Sequence, residues 1–229
     1  MLLPNTAENL VLSPSKRRRL STLKTLCIGL SVMLALATLS AWASTRTHIV
    51  DLSRDNRMYS SGVYREWSKG KVIVLIRHAE RCDRSSSTCL SDPSGITVAG
   101  SQVATDVGDG LQHLGLGDAD VLSSPQVRTR QTAHYIFGKA IKSEEWVQQC
   151  DEGFAESALA HKATDHNLVL VTHSGCIEHL ERQLNVPGGQ RSSDYASALF
   201  VSVAADGKPR ILGKMNADQW QRLLDSTNS

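Results

Sequence analysis

The sequence lacks three features, and each absence excludes a class. It has no excess of charge beyond its N-terminal end. Residues 1–43 hold five Lys/Arg and one acid, which leaves 20 basic and 22 acidic residues for 44–229, a net charge of −2. A domain so balanced offers no basic face to a phosphate backbone, and no nucleic-acid partner is expected. It has no close-spaced cysteine pair flanked by histidines, so a zinc site is not expected either. Nor does it have an uninterrupted apolar run of the ~20 residues a membrane span needs. The longest stretch, from about Leu26 to Leu39, is broken by Gly29, Ser31 and Thr38.

That stretch has a different use. Lys16-Arg17-Arg18-Arg19 precede it, and Ala41-Trp42-Ala43 close it with a small-x-small site before Ser44. Basic region, apolar region and cleavage site in that order are a secretory signal. If cleavage fails, residues 20–42 become an anchor with the basic end inside, and the export of 44–229 is unchanged. Cys27 leaves with a cleaved signal. Cys82, Cys89, Cys150 and Cys176 remain, an even number in an exported chain. Three pairings are open. The shared polar insertion favours Cys82–Cys89, with Cys150–Cys176 following by elimination, and four reduced buried thiols are the alternative. At 229 residues and 41% hydrophobic content, one catalytic domain over 71–229 is expected after a lead-in over 44–70.

The domain is organised around Val72–Ile76, an apolar run without polar alternation, which reads as a strand buried on both faces. Such strands sit centrally in parallel α/β sheets, where ligands bind beyond the carboxyl ends. This one ends in Arg77-His78, a cation beside an imidazole. Asn167–Thr172 repeats the pattern and ends in His173. Between them Thr97 reads as the N-cap of a helix running to about Leu114, and Ala119–Ser123 as a second strand. A helix opening near Gln126 follows. Arg128 in its first turn opposes the helix dipole, a conflict that an anionic ligand would resolve. Gly108, Gly110, Gly115 and Gly117 follow helical sequence rather than a strand, so a dinucleotide loop fails its context. Residues 144–160 read as irregular. Strands at Ala198–Val203 and Pro209–Leu212 and a helix from about Ala217 to Leu224 close the chain.

The strand ending in Arg77-His78-Ala79-Glu80, the segment Ser123-Ser124-Pro125…Arg128-Thr129…Gln131-Thr132-Ala133 and the strand ending in Thr172-His173 together resemble the histidine phosphatase superfamily, which includes phosphoglycerate mutases. Ile96-Thr97-x-x-Gly100 also fits, and Ala79 replaces the commoner glycine. The run from Arg81 through Cys82, Asp83 and Arg84 to Cys89, with Cys150 and Cys176, is similar to the exported lipopolysaccharide core heptose(II)-phosphate phosphatases. The resemblance implies a three-layer α/β sandwich with a mostly parallel central sheet. It also implies a periplasmic location and a phosphorylated sugar or lipopolysaccharide core as substrate. His78 is then the nucleophile, with Arg77, Arg128 and His173 holding the phosphoryl oxygens, and neither metal nor cofactor is needed. The family places a general acid after the second arginine. Asp151, Glu152 and Glu156 are the choices here, and Glu152 is the expectation. Arg84 is a candidate for a second anionic group on the substrate. A broad periplasmic acid phosphatase and a non-catalytic phosphate-binding module are the competing readings.

Overall fold

Three apolar runs form the centre of a five-stranded sheet. Its strands are β1 (Val72–Arg77), β2 (Ala119–Ser123), β3 (Asn167–Thr172), β4 (Ala198–Val203) and β5 (Pro209–Met215), in the order β2-β3-β1-β4-β5. β2, β3 and β1 run parallel, while β4 lies antiparallel to β1 and β5 antiparallel to β4. The computed structural model describes residues 14–54, 56–115, 119–220 and 222. They fall into two units, 1–46 and 47–229.

Alternation along the strands makes the two outer layers. Val72, Val74 and Ile76 of β1, Val169 and Val171 of β3, and Phe200 of β4 point into one core. Helices α4 (Val98–His113) and α5 (Val127–Phe137) cover it with Val107, Leu111, Ala133 and Ile136. Ile73, Leu75, Leu168, Leu170, Leu199 and Val201 point the other way, under α6 (Phe154–Ala160) and α7 (Ser174–Gln183). Each large apolar side chain so buried contributes roughly 1.5–3 kcal/mol. The expected three-layer α/β sandwich is the observed one. Thr97 caps α4, its Oγ1 accepting from the Gly100 amide at 2.9 Å.

From Thr47 on, the lead-in belongs to the second unit. It forms two short helices, α2 (Arg57–Ser60) and α3 (Val63–Trp67), and buries Met58, Val63 and Trp67 in the core. Residues 144–160 correct the irregular reading: they hold a 3₁₀ turn, Glu145–Gln148, and α6. The last strand runs three residues past Leu212, to Met215. Of the closing helix, 217–220 and 222 are helical; Leu224, like Gly117, lies outside the described residues. Gly110 is a packing glycine, because a Cβ there would sit 2.0 Å from Trp220. In the first unit, α1 (Pro14–Ser44) carries Leu26, Leu30, Met33, Leu34 and Trp42 at its surface, each more than half exposed. Among the described residues no helix is long and apolar enough to cross a membrane.

Candidate active site

Strand register builds the site. β1 and β3 pair with Arg77 opposite Thr172, so both strands finish level. The His78 amide donates to the Thr172 carbonyl at 3.0 Å. The next side chains out are His78 and His173, their ring centroids 5.5 Å apart and their planes edge to face. Both are buried. β2 lies on the far side of β3 with Ser123 level with Val171, which brings Ser124 and the start of α5 to the same edge. Arg128, in the first turn of α5, reaches His173 with Nη2 3.5 Å from Nδ1. Thr132, one turn on, accepts from the Ala79 amide at 2.9 Å and fixes α5 against the chain leaving β1.

The hydrogen bonds assign both tautomers. A carbonyl only accepts, so His78 Nδ1 donates to the Ala79 oxygen at 2.8 Å, and Nε2 keeps a free lone pair. A guanidinium only donates, so His173 Nδ1 accepts from Arg128 and its Nε2 donates to Ser124 Oγ at 2.9 Å. Burial holds His78 neutral, lowering its pKa from 6.5 to about 3. The Ala79 carbonyl opposes this, and the charges of Arg128, His173 and Arg77 add to it. Burial, then Arg128, Arg81 and Arg77, lower His173 to about 4. The result is a nucleophilic nitrogen beside fixed cations, a combination suited to attack on a phosphoryl group.

Arg77 lies with its guanidinium carbon 4.0 Å from the centre of the Tyr195 ring and donates to the Ser193 carbonyl. The Nε atoms of Arg77 and Arg128 are both buried and meet no hydrogen-bond partner among the described residues. Such donors are costly to leave unpaired, and an anion at the sheet edge would satisfy them. α7 starts directly after His173, so its unpaired first-turn amides lie at the same edge.

The loop after β1 adds a cation that reading the sequence did not single out. Arg81 is gripped by both oxygens of Asp83, with Nε 2.7 Å from Oδ1. Its charge still depresses His173 and Arg128. The signal was in view, two residues past the arginine–histidine–alanine run. Arg84 is exposed and acts on Arg128 only through its charge. The sulfurs of Cys82 and Cys89 are at bonding distance, as are those of Cys150 and Cys176. The first pair closes the loop. Gln131 of α5 secures it, with Oε1 accepting from the Ile96 amide at 2.8 Å, and a Cβ at Gly95 would lie 2.1 Å from that oxygen. The second pair ties the chain before α6 to the first turn of α7. There Thr172 Oγ1 also donates to the Val147 carbonyl at 2.7 Å.

Glu152 stands in an exposed turn, its carbonyl accepting from Gln183 Nε2 at 2.6 Å. No hydrogen bond or ion pair of its carboxylate appears among the described residues. Asp151 closes its own turn by accepting from the Gly153 amide at 2.9 Å, and Glu156 is exposed on α6. The acidic groups whose charge reaches Arg77 are instead Asp194 and Glu178, and Asp83 reaches Arg128. Tyr195, 5.7 Å from His78 ring to ring, had no signal in its irregular stretch of sequence.

The chain is 34% identical over 179 residues to a lipopolysaccharide core heptose(II)-phosphate phosphatase of Escherichia coli O139:H28, covering 77% of this chain and 84% of the relative. The chain belongs to this family. The heptose(II)-phosphate phosphatase of Salmonella arizonae is 39% identical over 140 residues, 60% of this chain and 68% of that one. No family model matches. Among solved structures, the protein histidine phosphatase SixA complexed with tungstate superposes with a TM-score of 0.51 at 16% identity, over 64% of this chain and 97% of that one. That likeness shows that the chain shares the fold of this phosphatase.

Proposed function

We propose that the chain is a phosphomonoesterase that removes phosphate from heptose of the lipopolysaccharide core through a phosphohistidine. The observation that carries this reading is the His78 tautomer: Nδ1 is engaged by the Ala79 carbonyl, and Nε2 is left free beside Arg128 and His173. Nε2 attacks phosphorus, the P–O bond to the sugar breaks, and the sugar oxygen takes a proton. Water then attacks the phosphorus and frees Nε2. Arg77, Arg128 and His173 hold the equatorial oxygens, whose charge is the main thing a protein stabilises in phosphoryl transfer. Arg81 and Arg84 add positive charge to the approach. The family name of the curated relatives supports the heptose substrate.

The reading includes export to the periplasm, with residues 1–43 as signal peptide or uncleaved anchor. The basic-then-apolar N-terminal sequence supports it, as do two cysteine pairs at bonding distance, since disulfides persist in oxidising compartments. Residues 44–229 are expected to release phosphate from purified lipopolysaccharide core at least ~10-fold more efficiently, in kcat/KM, than from free sugar phosphates, a margin of ~1.4 kcal/mol. Equal efficiency on both would replace this substrate with that of a broad acid phosphatase.

Glu152 is assigned as proton donor on its chain position after Arg128. Glu152→Gln is expected to slow release of a sugar alkoxide by about 10²–10⁴-fold, the usual contribution of a general acid. It should have little effect on p-nitrophenyl phosphate, whose leaving group needs no proton. Equal losses on the two substrates would remove Glu152 from that role.

A further inference from the structure

Against Tyr195, whose ring centre is 5.7 Å from that of His78, lies a cavity of about 580 Å³. It is bounded by the chain after β1, by α4, by the chain before β4 and by the chain after β5. Its walls carry Glu80, Asp106, Asp194, Asp218, Asn216 and Tyr195, with small apolar residues between them; Asp218 is paired with Arg222 at 3.2 Å, and no basic side chain is among the described residues that line the cavity. Tyr195 is the shared wall. Its ring lies against the Arg77 guanidinium and 5.7 Å from the His78 ring, so the cavity adjoins the histidine site through this side chain. The cavity falls in the size range of sites that hold a small organic ligand, and is larger than phosphate needs.

We infer that this cavity is the subsite for the leaving group, and that it selects a neutral, hydroxyl-rich sugar. The inference rests on the phosphatase reading above and says where the sugar of that substrate sits. Charge decides the orientation. The arginine side of the histidines attracts the phosphoryl group, and the acidic cavity repels it. Carboxylates are acceptors and hydroxyls are donors, so a polyol brings several charge-assisted hydrogen bonds to these walls at no cost in repulsion. Glu80 already shows this use, accepting from the hydroxyls of Ser85 at 3.0 Å and Thr97 at 2.7 Å. Tyr195 adds an apolar face with a hydroxyl at its end, a surface that suits a ring apolar on its faces and polar at its rim. A sugar with a second anionic group pointing this way would be rejected. A second anion is accommodated only towards Arg81 and Arg84.

The test uses the exported chain and its Ala99→Phe variant, which fills the cavity from an exposed position on α4. The kcat/KM for phosphorylated core oligosaccharide, divided by that for p-nitrophenyl phosphate, is expected to fall at least ~10-fold, a change of ~1.4 kcal/mol. Calorimetry with phosphate-free core oligosaccharide is expected to show binding to the parent and none to the variant. An unchanged ratio, or equal binding by both proteins, overturns the inference. A parent that hydrolyses the aryl phosphate but neither binds nor hydrolyses the oligosaccharide also overturns it, and leaves the histidine chemistry standing. A parent that hydrolyses nothing, yet binds the oligosaccharide in a way Ala99→Phe abolishes, sinks the phosphatase reading and keeps the sugar subsite.

Discussion

His78→Ala is expected to lower phosphate release by about 10⁴-fold or more, the scale on which loss of a covalent nucleophile is read. One hydrogen bond sets this dependence. Donation from Nδ1 to the Ala79 carbonyl leaves Nε2 unprotonated at every pH above its titration, and burial keeps that titration near 3. Arg77, Arg128 and His173 would survive the substitution and still bind phosphate, so the variant should bind inorganic phosphate while turning nothing over. Rapid quenching of the parent into alkali should trap phosphate on His78. Chelator should leave the parent's rate unchanged, because the cations in this reading are guanidinium groups. A variant that retains a tenth of the activity would end the covalent mechanism, and a rate lost to chelator alone would require a metal instead.

The two ends of this machinery were legible to different degrees. β1 and β3 are plain in the sequence because burial on both faces demands unbroken apolar runs, and each is followed directly by a histidine. Their adjacency is not written there: only the pairing of Arg77 with Thr172 makes two distant histidines neighbours. α6 escaped notice because its seven residues are too short for a helical period, and Gly153 and two glutamates mask its two buried positions, Phe154 and Ala158. The antiparallel return through β4 and β5 could not be read, since a strand's direction is a property of its partner. Arg128 was legible through its conflict with the helix dipole. Tyr195 and Asp194 were not, because the chain before β4 has no periodicity, and only the fold brings it to Arg77. The acidic cavity is invisible for the same reason. Its residues come from four separate stretches of chain, and each alone looks like a solvated surface.

The same buried histidines should make the protein sensitive to acid. Unfolded, each titrates near the ordinary value of 6.5; folded, His78 titrates at about 3 and His173 at about 4. As pH falls below 6.5 the unfolded chain takes up these protons first, so stability is fully present above that value and is lost on the way down. The slope is about 1.4 kcal/mol per pH unit for each histidine. For His78 the total by pH 3 is on the order of 5 kcal/mol, a large part of the stability of a domain this size. Urea unfolding measured from pH 7 to pH 4 should therefore show a falling midpoint, and His78→Asn should lower that slope by about one proton's worth. Catalysis should move the other way. With Nε2 neutral well into acid, the acid limb of kcat/KM, corrected for the substrate's own ionisation near ~6, should lie below pH ~5 rather than near 6.5. Bound phosphoryl charge favours the imidazolium, so the limb in kcat should stand at higher pH than the limb in kcat/KM. A kcat/KM limb near 6.5, with an unaltered unfolding slope in His78→Asn, would mean that His78 is hydrated in solution and that the burial described above is not what tunes it.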